Sequence, residues 1–437
     1  MHEPALYSID QHATRPAKTE PHPLSRILIF AEAVTLAHIA RPIALSRILR
    51  ELGHDVCIAA AEEADRWLDA EPVARQRITS IASTDFLRAL RRGLPPYDTR
   101  TLRRYVEDDL RAMNAWVPDI VIGDFRLSLY ISARLAAKPY GAIANAYWSR
   151  RYWRCAAHAP EITALRRLPR GFADLLFRHS YPVAFAIHAL PFHRACKHFA
   201  VDPPGLDIRD VYTASDATAF ADVEGLYRSR QDAGVRFIGP LFWHAATGGP
   251  VAAPGRGDPV LFVALGSSGH TDRLSALLTL LEELPWRYIV ATHGAPTVSK
   301  GRNCIRAAEF ISYEEACATA DIMVCNGGAP ATYASLATGT PVLGLAGNLD
   351  QHLNMGAVER AGGGICIDFR DLTGPAFERA IRELRTSPRI AEGVVKVAAE
   401  IADKRDARPP VLEWVATLEH CLTRASHKPN GMSTGFT

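Results

Sequence analysis

A double glycine that follows an apolar run is the first feature of this sequence that could bind a ligand. Residues 322–325 are typical of a buried strand, Asn326, Gly327 and Gly328 follow, and a helix is predicted to begin near Pro330. Proline suits the first helical position because its missing N–H would have no partner there. Glycines let a ligand approach the backbone, and the free N–H groups and positive dipole end of a helix favour an anion. The segment predicts a diphosphate site, with an ordinary strand-to-helix turn as the alternative.

A carboxylate and an amide stand side by side after the next apolar run. Residues 342–345 are predicted to form a strand, and Asp350 and Gln351 follow it, with Asn354 one turn further on. Adjacent carboxylate and amide groups suit bidentate recognition of vicinal hydroxyls. The alternative is that the pair caps the start of a helix. Together with the double glycine, the pair favours a ligand site.

One histidine and one aspartate could provide acid–base chemistry. His38 follows the first predicted strand, in a segment that we expect to be a loop facing the ligand cleft. Asp124 ends another predicted strand, where a buried carboxylate could hold a neutral histidine in one tautomer. Each has a simpler alternative, since His38 could be a surface residue and Asp124 could cap the following helix. Asp119, beside Pro118, is more typical of a turn.

The elements that must position these residues alternate between strands and helices. Residues 26–30 form an apolar run typical of a buried parallel strand, and a helix over 43–49 and a strand over 56–60 are predicted to follow. Gly53 stands where a left-handed helix cap is expected. This β-α-β order opens a parallel sheet covered by helices. Further elements of the first half are predicted as strands at 120–124, 142–146, 211–214 and 237–240, and as a helix at 128–137.

A segment rich in Gly, Pro and Ala divides this pattern into two halves. Residues 244–258 show no periodicity and are predicted to be a linker, after which the alternation restarts at 260–265. We therefore predict an α/β protein of two doubly wound, Rossmann-like domains, with the ligand in the cleft between them. The predicted boundaries are a disordered leader at 1–24, a first domain at 25–243, a second domain at 259–407, a helix crossing back to the first domain at 408–423, and a disordered tail at 424–437.

Bulk composition argues against several classes of protein. The apolar fraction of 48% and charged fraction of 22% in 437 residues are those of a globular protein with more than one core. A net charge of +3, from 50 basic and 47 acidic residues, gives no support for a nucleic-acid binder. None of the eight cysteines forms a C-x-x-C pair, which argues against a zinc site or a disulfide framework. Scattered cysteines of this kind are typical of buried reduced thiols, so we expect a cytoplasmic protein. No apolar run reaches the roughly 18 residues of a membrane span, and the N-terminus has no apolar segment typical of a signal peptide.

The order of the two ligand segments resembles the family-one glycosyltransferases, the UDP-glycosyltransferase superfamily of GT-B fold that includes antibiotic and macrolide glycosyltransferases. In that family a strand runs into His-Gly-Gly-x-Gly-Thr, and a helix and a short strand then lead to Asp-Gln-x-x-Asn. Residues 324–365 are similar in order and spacing, and the two-domain layout is similar over nearly the whole chain. The resemblance implies two Rossmann-like domains that face each other across a cleft.

For the second half, the resemblance implies binding of a nucleotide-sugar donor. The chain departs from the family where Asn326 replaces a His, where Pro330 and Ala331 replace a Gly-Thr pair, and where Ala334 replaces a Glu that grips the ribose hydroxyls. The expected donor is a UDP or dTDP sugar, and the loss of that Glu weakens the case for UDP and leaves dTDP or another nucleotide open. The donor-binding residues that the resemblance implies are Gly266, Ser267, Ser268, Tyr313, Asn326, Gly327, Gly328, Thr332, Asp350 and Gln351.

For the first half, the resemblance implies the catalytic residues. The family places its catalytic His in the same loop, usually as Gly-His-x-x-Pro, whereas here Ala37 replaces the Gly and Arg41 adds one residue before the Pro. His38 would then be the base for direct displacement with inversion, and Asp124 would orient it. The nucleotide sugar is a co-substrate, and we expect no cofactor and no obligatory metal, because helix N-termini and loop amides would meet the diphosphate charge.

The aromatic and basic segment over residues 147–200 has three interpretations. The simplest is a helical cap packed on the sheet. The second is an acceptor pocket with Tyr147 and Trp148 as contacts, since the family builds this pocket from its N-terminal domain. The third is contact with a membrane surface through Arg166, Arg167, Arg170 and nearby apolar residues.

The sequence thus predicts a glycosyltransferase that moves a sugar from a nucleotide diphosphate to a small apolar or lipid-like acceptor. We expect it to act in natural-product or glycolipid glycosylation as a monomer or homodimer, with peripheral membrane contact left open. The alternative is a non-catalytic protein of the same fold that partners another transferase, which the departures at Asn326 and Ala334 favour and the retention of His38 and Asp124 opposes. A redox Rossmann enzyme is excluded because no G-x-G-x-x-G follows the first strand.

Overall fold

The computed structural model describes residues 25–154, 156, 158–227, 235–243, 259–266, 271–293 and 301–426. The predicted leader at 1–24, the predicted linker at 244–258, and Ser267 and Ser268 lie outside these ranges. The domain boundaries that depend on them stay predictions. At the other end, the last helix continues to Ser426, three residues past the end predicted at residue 423.

The first half of the described chain forms a parallel sheet. Its strand order is β3-β2-β1-β4-β5-β6-β7, the doubly wound order in which the direction of winding reverses between β1 and β4. β1 is buried almost throughout, as the continuous apolar run of a central parallel strand requires. The strands are β1 (Arg26–Ala31), β2 (Asp55–Ala60), β3 (Ala74–Arg77), β4 (Ile120–Asp124), β5 (Tyr140–Ala144), β6 (Ala217–Phe220) and β7 (Val235–Phe237).

The second half forms another parallel sheet with the same winding pattern. Its order is β10-β9-β8-β11-β12-β13, so the reversal falls between β8 and β11. The strands are β8 (Val260–Ala264), β9 (Arg287–Ala291), β10 (Cys304–Ala308), β11 (Ile322–Cys325), β12 (Val342–Ala346) and β13 (Gly364–Asp368).

Helices cover both sheets. In the first half they are α1 (Ala37–Glu51), α2 (Asp65–Leu68), α3 (Ser83–Arg92), α4 (Thr99–Trp116), α5 (Leu129–Leu135), α6 (Arg170–His198) and α7 (Ile208–Thr213). In the second half they are α8 (Thr271–Glu282), α9 (Tyr313–Thr319), α10 (Ala329–Ala337), α11 (Leu349–Ala361), α12 (Gly374–Thr386), α13 (Pro388–Asp403) and α14 (Arg408–Ser426). Of the helices in the described ranges, none combines the length and the apolar character needed to cross a bilayer.

The structure corrects two predicted elements of the first half. Residues 211–214, predicted as a strand, belong mostly to α7, because Asp207 and Asp210 form a capping box that starts a helix there. His38, predicted in a loop, lies in the first turn of α1. Pro42 lies inside this helix, where its missing N–H removes the intrahelical bond to the carbonyl of His38 but does not stop the helix from beginning at Ala37.

The last helix packs on the first sheet. The indole of Trp414 is fully buried, and its Nε1 donates to the carbonyl of Ala217 at 3.0 Å. Gly141 makes room for the ring, since a Cβ there would lie 2.7 Å from Trp414 Cζ2. The chain therefore returns from the second half to contact the first.

Candidate functional site

A cavity of about 740 Å³ lies between the carboxyl ends of the two sheets, a size ordinary for a small-molecule site. The residues that line it come from both halves of the chain. Of the predicted site residues, those that line it are His38, Asp124, Tyr147, Trp148, Gly266, Tyr313, Asn326, Gly328, Asp350 and Gln351.

The predicted histidine and aspartate are in direct contact. His38 Nδ1 lies 2.8 Å from Asp124 Oδ1, and the Asp124 side chain is fully buried at the end of β4. Phe125, the next residue, has a φ of 59° and stacks its ring on the His38 imidazole at 4.7 Å. A positive φ in an aromatic residue is uncommon and marks a backbone held by its surroundings. The turn after β4 thus fixes both the partner and the ring plane of His38.

Arg41 is a third member of this cluster. Its position as an extra residue before Pro42 gave no sign of this role. Its Nε donates to Asp124 Oδ2 at 2.8 Å and its Nη2 donates to Asp124 Oδ1 at 2.7 Å. Burial opposes ionisation of Asp124, but the charges of Arg41 and His38 hold the pKa of its carboxyl below the usual value. Asp124 is therefore an anion at neutral pH.

These contacts select one tautomer of His38. Nδ1 lies 2.8 Å from the Asp124 carboxylate and 3.1 Å from Arg41 Nη2. A lone pair on Nδ1 would face the carboxylate and repel it, whereas an N–H there donates to it. Since Arg41 Nη2 already donates to Asp124, the arrangement favours the proton on Nδ1. Nε2 is then left with a lone pair and can accept a proton.

A network of buried hydrogen bonds connects Arg41 to the second half. Arg41 Nη1 donates to Asn145 Oδ1 at 2.8 Å, and Asn145 Nδ2 donates to Asp222 Oδ1 at 3.0 Å. Tyr333 of α10 donates its hydroxyl to the same Asp222 oxygen at 2.8 Å. Burial raises the pKa of Asp222, and the hydrogen bonds from Ala146, Asn145 and Tyr333 oppose that effect. No local sequence signal identifies this hydrogen-bond network, because its members come from four separate segments.

The predicted diphosphate loop joins β11 to α10. Asn326 Oδ1 accepts a hydrogen bond from Gly328 N at 3.1 Å, which folds the loop back on itself. Gly327 has a φ of 79° and does not line the cavity, and a Cβ there would lie 2.6 Å from Met355 Cγ. Gly328 caps α10, whose first three residues line the cavity, with Pro330 among them as predicted. The first turn of a helix leaves backbone N–H groups without intrahelical partners, so this wall can receive an anion.

Thr332, predicted to contact the donor, does not reach the cavity. Its side chain is buried, and its hydroxyl donates to the carbonyl of Ala329 and accepts from Asn354 Nδ2. The same amide nitrogen donates to Gly327 O at 2.8 Å. Thr332 and Asn354 therefore tie the loop to α11 from behind, and we remove Thr332 from the donor-binding set.

Asp350 and Gln351 have different surroundings. Asn348 caps α11 in a capping box with Gln351, whose Oε1 accepts from the backbone of Gly347 and Asn348 at 2.9 and 3.2 Å. Helix capping, the alternative left open by the sequence, thus applies to Gln351. Asp350 Oδ1 accepts instead from Trp148 Nε1 of the first half at 2.8 Å. The predicted acceptor residue and the predicted sugar residue therefore touch across the cavity.

Tyr313 lies at the far end of the second-half wall. Its hydroxyl lies 2.9 Å from His293 Nε2, and the imidazole packs edge-on against Phe310 at 5.6 Å. Burial lowers the pKa of His293 to about 4, so its ring is neutral at neutral pH. An aromatic and uncharged lining of this kind suits a planar base.

The first-half wall is largely apolar. Charged contacts occur where it meets the second half, as between Glu161 and Arg273 and between Arg170 and Asp368. No group of three or more His, Cys, Asp or Glu side chains within the described ranges could hold a metal ion. The apolar residues of this wall include Phe86, Leu87, Leu90, Phe125, Ile162, Leu165, Phe177, Ala184, Phe185 and Tyr212.

Mycobacterial glycosyltransferases are similar in sequence to this chain over most of its length. The chain is 35% identical over 392 residues to the PGL/p-HBAD biosynthesis rhamnosyltransferase of Mycobacterium bovis (strain BCG / Pasteur 1173P2), and the match covers 89% of this chain and 87% of that protein. It is 34% identical over 389 residues to the PGL/p-HBAD biosynthesis glycosyltransferase of Mycobacterium tuberculosis (strain ATCC 25177 / H37Ra), and this match covers 86% of this chain and 90% of that protein. The solved structure of the glycotransferase of kitacinnamycin has a TM-score of 0.65 at 18% identity, over 90% of this chain and 99% of that chain, which shows a shared fold. No protein-family model matches the sequence.

Proposed function

Because the chain belongs to the GT-B-fold glycosyltransferase family that includes the PGL/p-HBAD biosynthesis rhamnosyltransferase, we propose that it transfers its sugar with inversion to a hydroxyl of an apolar acceptor. That it is a glycosyltransferase follows from the family, whereas the stereochemistry and the acceptor are proposals. The observation that carries them is the contact of His38 with Asp124 in the same cavity as the start of α10.

His38 is the proposed base. Its Nε2 accepts the proton of the acceptor hydroxyl as the hydroxyl oxygen bonds to the anomeric carbon of the sugar. The bond from that carbon to the diphosphate oxygen breaks on the opposite face, and the nucleoside diphosphate leaves with the bonding electrons. Displacement from the opposite face inverts the anomeric configuration. Asp124, kept ionised by Arg41, stabilises the imidazolium that forms.

The start of α10 is the proposed diphosphate site. The developing negative charge would be met by backbone N–H groups of its first turn and by the positive end of the helix. Asn326 adds an amide donor, and no metal is invoked. Ala334 lines the cavity at the position of the family's ribose-binding Glu, which favours a nucleotide without a 2′-hydroxyl, that is, dTDP over UDP. By analogy with the named relative, rhamnose is the first sugar to test.

The apolar wall of the first half is the proposed acceptor site. Aromatic and aliphatic side chains from α3, α6 and α7 surround the space next to His38, so an acceptor there buries apolar surface. Trp148 would contact it, while its Nε1 holds Asp350 toward the sugar. An acceptor of the PGL/p-HBAD class, as in the names of the relatives, is the one we propose.

The test combines donor binding with turnover. We expect dTDP-rhamnose to raise the melting temperature of the protein more than UDP-glucose does, and the product to carry the inverted anomeric configuration by NMR. His38→Ala should reduce kcat by about 10²- to 10⁴-fold while the melting shift by the donor is kept. EDTA should leave turnover unchanged.

A matched control is His188→Ala, which removes a cavity-lining histidine whose Nε2 donates to the Gly93 carbonyl and not to a carboxylate. It should retain most of the turnover. If His38→Ala turns over as fast as the wild type, His38 is not the base. A product with retained configuration would exclude the single displacement.

A further inference from the structure

One face of α6 is apolar and exposed although it has no partner among the described residues. Along the helix, Phe172, Leu175, Leu176, Val183, Ile187 and Leu190 are each more than 40% exposed. At 100° per residue these positions fall within about 120° on one side of the helix, over a length of about 27 Å, and the exposed His179 is the polar residue among them. Isolated exposed apolar residues are ordinary, whereas an aligned row of them is the kind of feature that marks interaction sites. We call these six residues the α6 stripe.

Basic residues bound the α6 stripe at both ends. Arg166 and Arg167, both exposed, precede it, and Arg194 and Lys197, also exposed, continue the same face beyond Leu190. Residues 149–200 contain nine Lys and Arg against two acidic residues, Glu161 and Asp174. Both acidic side chains are engaged in ion pairs, Glu161 with Arg273 and Asp174 with Arg170. Arg150 and Arg170 are also paired with aspartates, so the positive charge beside the stripe comes from exposed side chains such as Arg166, Arg167, Arg194 and Lys197.

The α6 stripe also meets an opening of the cavity. The lining residues that are themselves exposed are Arg91, Leu176 and Pro330. Leu176 belongs to the stripe, and Arg91 lies on α3 close to it, since the nearby Gly93 carbonyl accepts from His188 Nε2 of α6. Pro330 marks the opposite, donor side. The opening on the first-half side thus leads directly from the exposed stripe into the apolar wall.

From this geometry we propose that the α6 stripe docks on an anionic lipid bilayer, so that an apolar acceptor enters the cavity between α3 and α6 without crossing water. A helix that lies at the membrane interface needs an apolar face beside basic side chains, and its binding strengthens with anionic lipid. The entry of the acceptor rests on the proposed function, whereas the docking does not.

The test uses flotation of the full-length protein with vesicles of phosphatidylcholine alone or of equal parts phosphatidylcholine and phosphatidylglycerol. We expect the wild type to float with the anionic vesicles and to be released by salt. V183D/I187D, which changes two stripe residues that do not line the cavity, should lower the bound fraction by roughly tenfold or more. R194Q/K197Q should lower it less and reduce its salt dependence.

Matched controls come from the second half. Val395 on α13 is 69% exposed, so V395D adds a charge at an equally exposed apolar site. R379Q/R382Q removes two exposed charges of α12. Both controls should float as the wild type does, and all variants should keep the wild-type melting temperature and turnover with a water-soluble acceptor.

Three results would overturn the proposal. The first is no flotation with either vesicle, and the second is equal flotation of V183D/I187D and V395D. The third is a wild-type dimer that V183D/I187D converts to monomer in sedimentation velocity with no vesicle binding, which would make the stripe a contact between two copies. Flotation without any sugar transfer would instead leave the docking intact and remove the proposed function.

Discussion

At the scale of single residues, one carboxylate serves both an arginine and a histidine. Asp124 accepts from His38 and, through both oxygens, from Arg41. The arginine keeps the carboxylate ionised inside the protein, and it also compensates part of the charge that would stabilise a protonated imidazole. Orientation of the histidine is therefore a larger part of the role of Asp124 here than it would be in an isolated pair.

Asp124→Asn tests this role. The amide of Asn can donate an N–H to His38 Nδ1, which favours the tautomer with the proton on Nε2. In that tautomer Nε2 has no lone pair and cannot act as a base. We expect kcat to fall by about 10²- to 10⁴-fold with donor binding kept. Asp119→Asn is the control, because Asp119 accepts from the backbone N–H of Arg26 at 2.8 Å and does not line the cavity. Equal turnover in both variants would make Asp124 a purely structural residue.

His293 predicts how stability depends on pH. Its pKa is about 4 in the folded protein against 6.5 in the ordinary state, so between these values the unfolded chain binds more protons. Stability therefore falls as the pH drops through this window, by on the order of 1–3 kcal/mol from this one group. His293→Asn, which keeps a residue tolerant of the φ of 47°, should flatten the pH dependence of urea unfolding between pH 6.5 and 4. An unchanged slope would contradict the assignment.

At the scale of elements, the β11–α10 connection shows why this turn needs glycine. Gly327 combines a φ of 79° with a backbone that lies against Met355 of α11. Gly339 has a nearly equal φ of 77°, but a Cβ there would have no heavy atom within 4 Å. The two glycines therefore separate the cost of the backbone conformation from the cost of the contact.

Gly327→Ala should unfold at lower urea concentration than Gly339→Ala, by about 1–3 kcal/mol in the free energy of unfolding. The added methyl must also displace the loop from α11, so the affinity for the nucleotide sugar should fall in Gly327→Ala alone. Isothermal titration with the donor measures this difference. Similar donor affinity in the two variants would show that the loop does not hold the diphosphate.

At the scale of the whole molecule, the two halves are joined by buried polar contacts. The hydrogen-bond network from Arg41 through Asn145 and Asp222 ends on Tyr333, which is part of the helix that starts at the diphosphate loop. Trp148 and Asp350 form a second contact on the other side of the cavity. The cavity therefore keeps its shape only while both sheets hold these partners.

Tyr333→Phe should lower the free energy of unfolding by about 1–2 kcal/mol, because Asp222 loses a donor in a fully buried place. Tyr288→Phe is the control, since its hydroxyl also donates to a carboxylate, that of Glu282, but within the second half. In a double-mutant cycle with Asp222→Asn, Tyr333 should couple by about 0.5–3 kcal/mol and Tyr288 should not. Additive effects for Tyr333 would show that this contact does not link the halves.

The sequence by itself determined most of the central strands, the doubly wound class of the two halves and the place of the ligand loops. Apolar runs such as Ile322–Cys325 define buried parallel strands, and glycine, proline and capping residues mark the turns that follow them. These are local properties of a few neighbouring residues, so spacing alone recovers them. Spacing failed at 211–214, where the capping box of α7 outweighed a short apolar run, and it did not predict β3, β6, β10 or β13.

Only the tertiary structure decided which side chains share a partner. Arg41 and Asp124 are 83 positions apart, and Trp148 and Asp350 are 202 positions apart, so no local pattern predicts that they meet. The same holds for Thr332, whose hydroxyl turns toward Asn354 rather than the cavity, and for the α6 stripe, which is an exposed face only because the rest of the helix is packed. Side-chain contacts depend on how separate elements pack, and packing follows from the shape of the whole molecule.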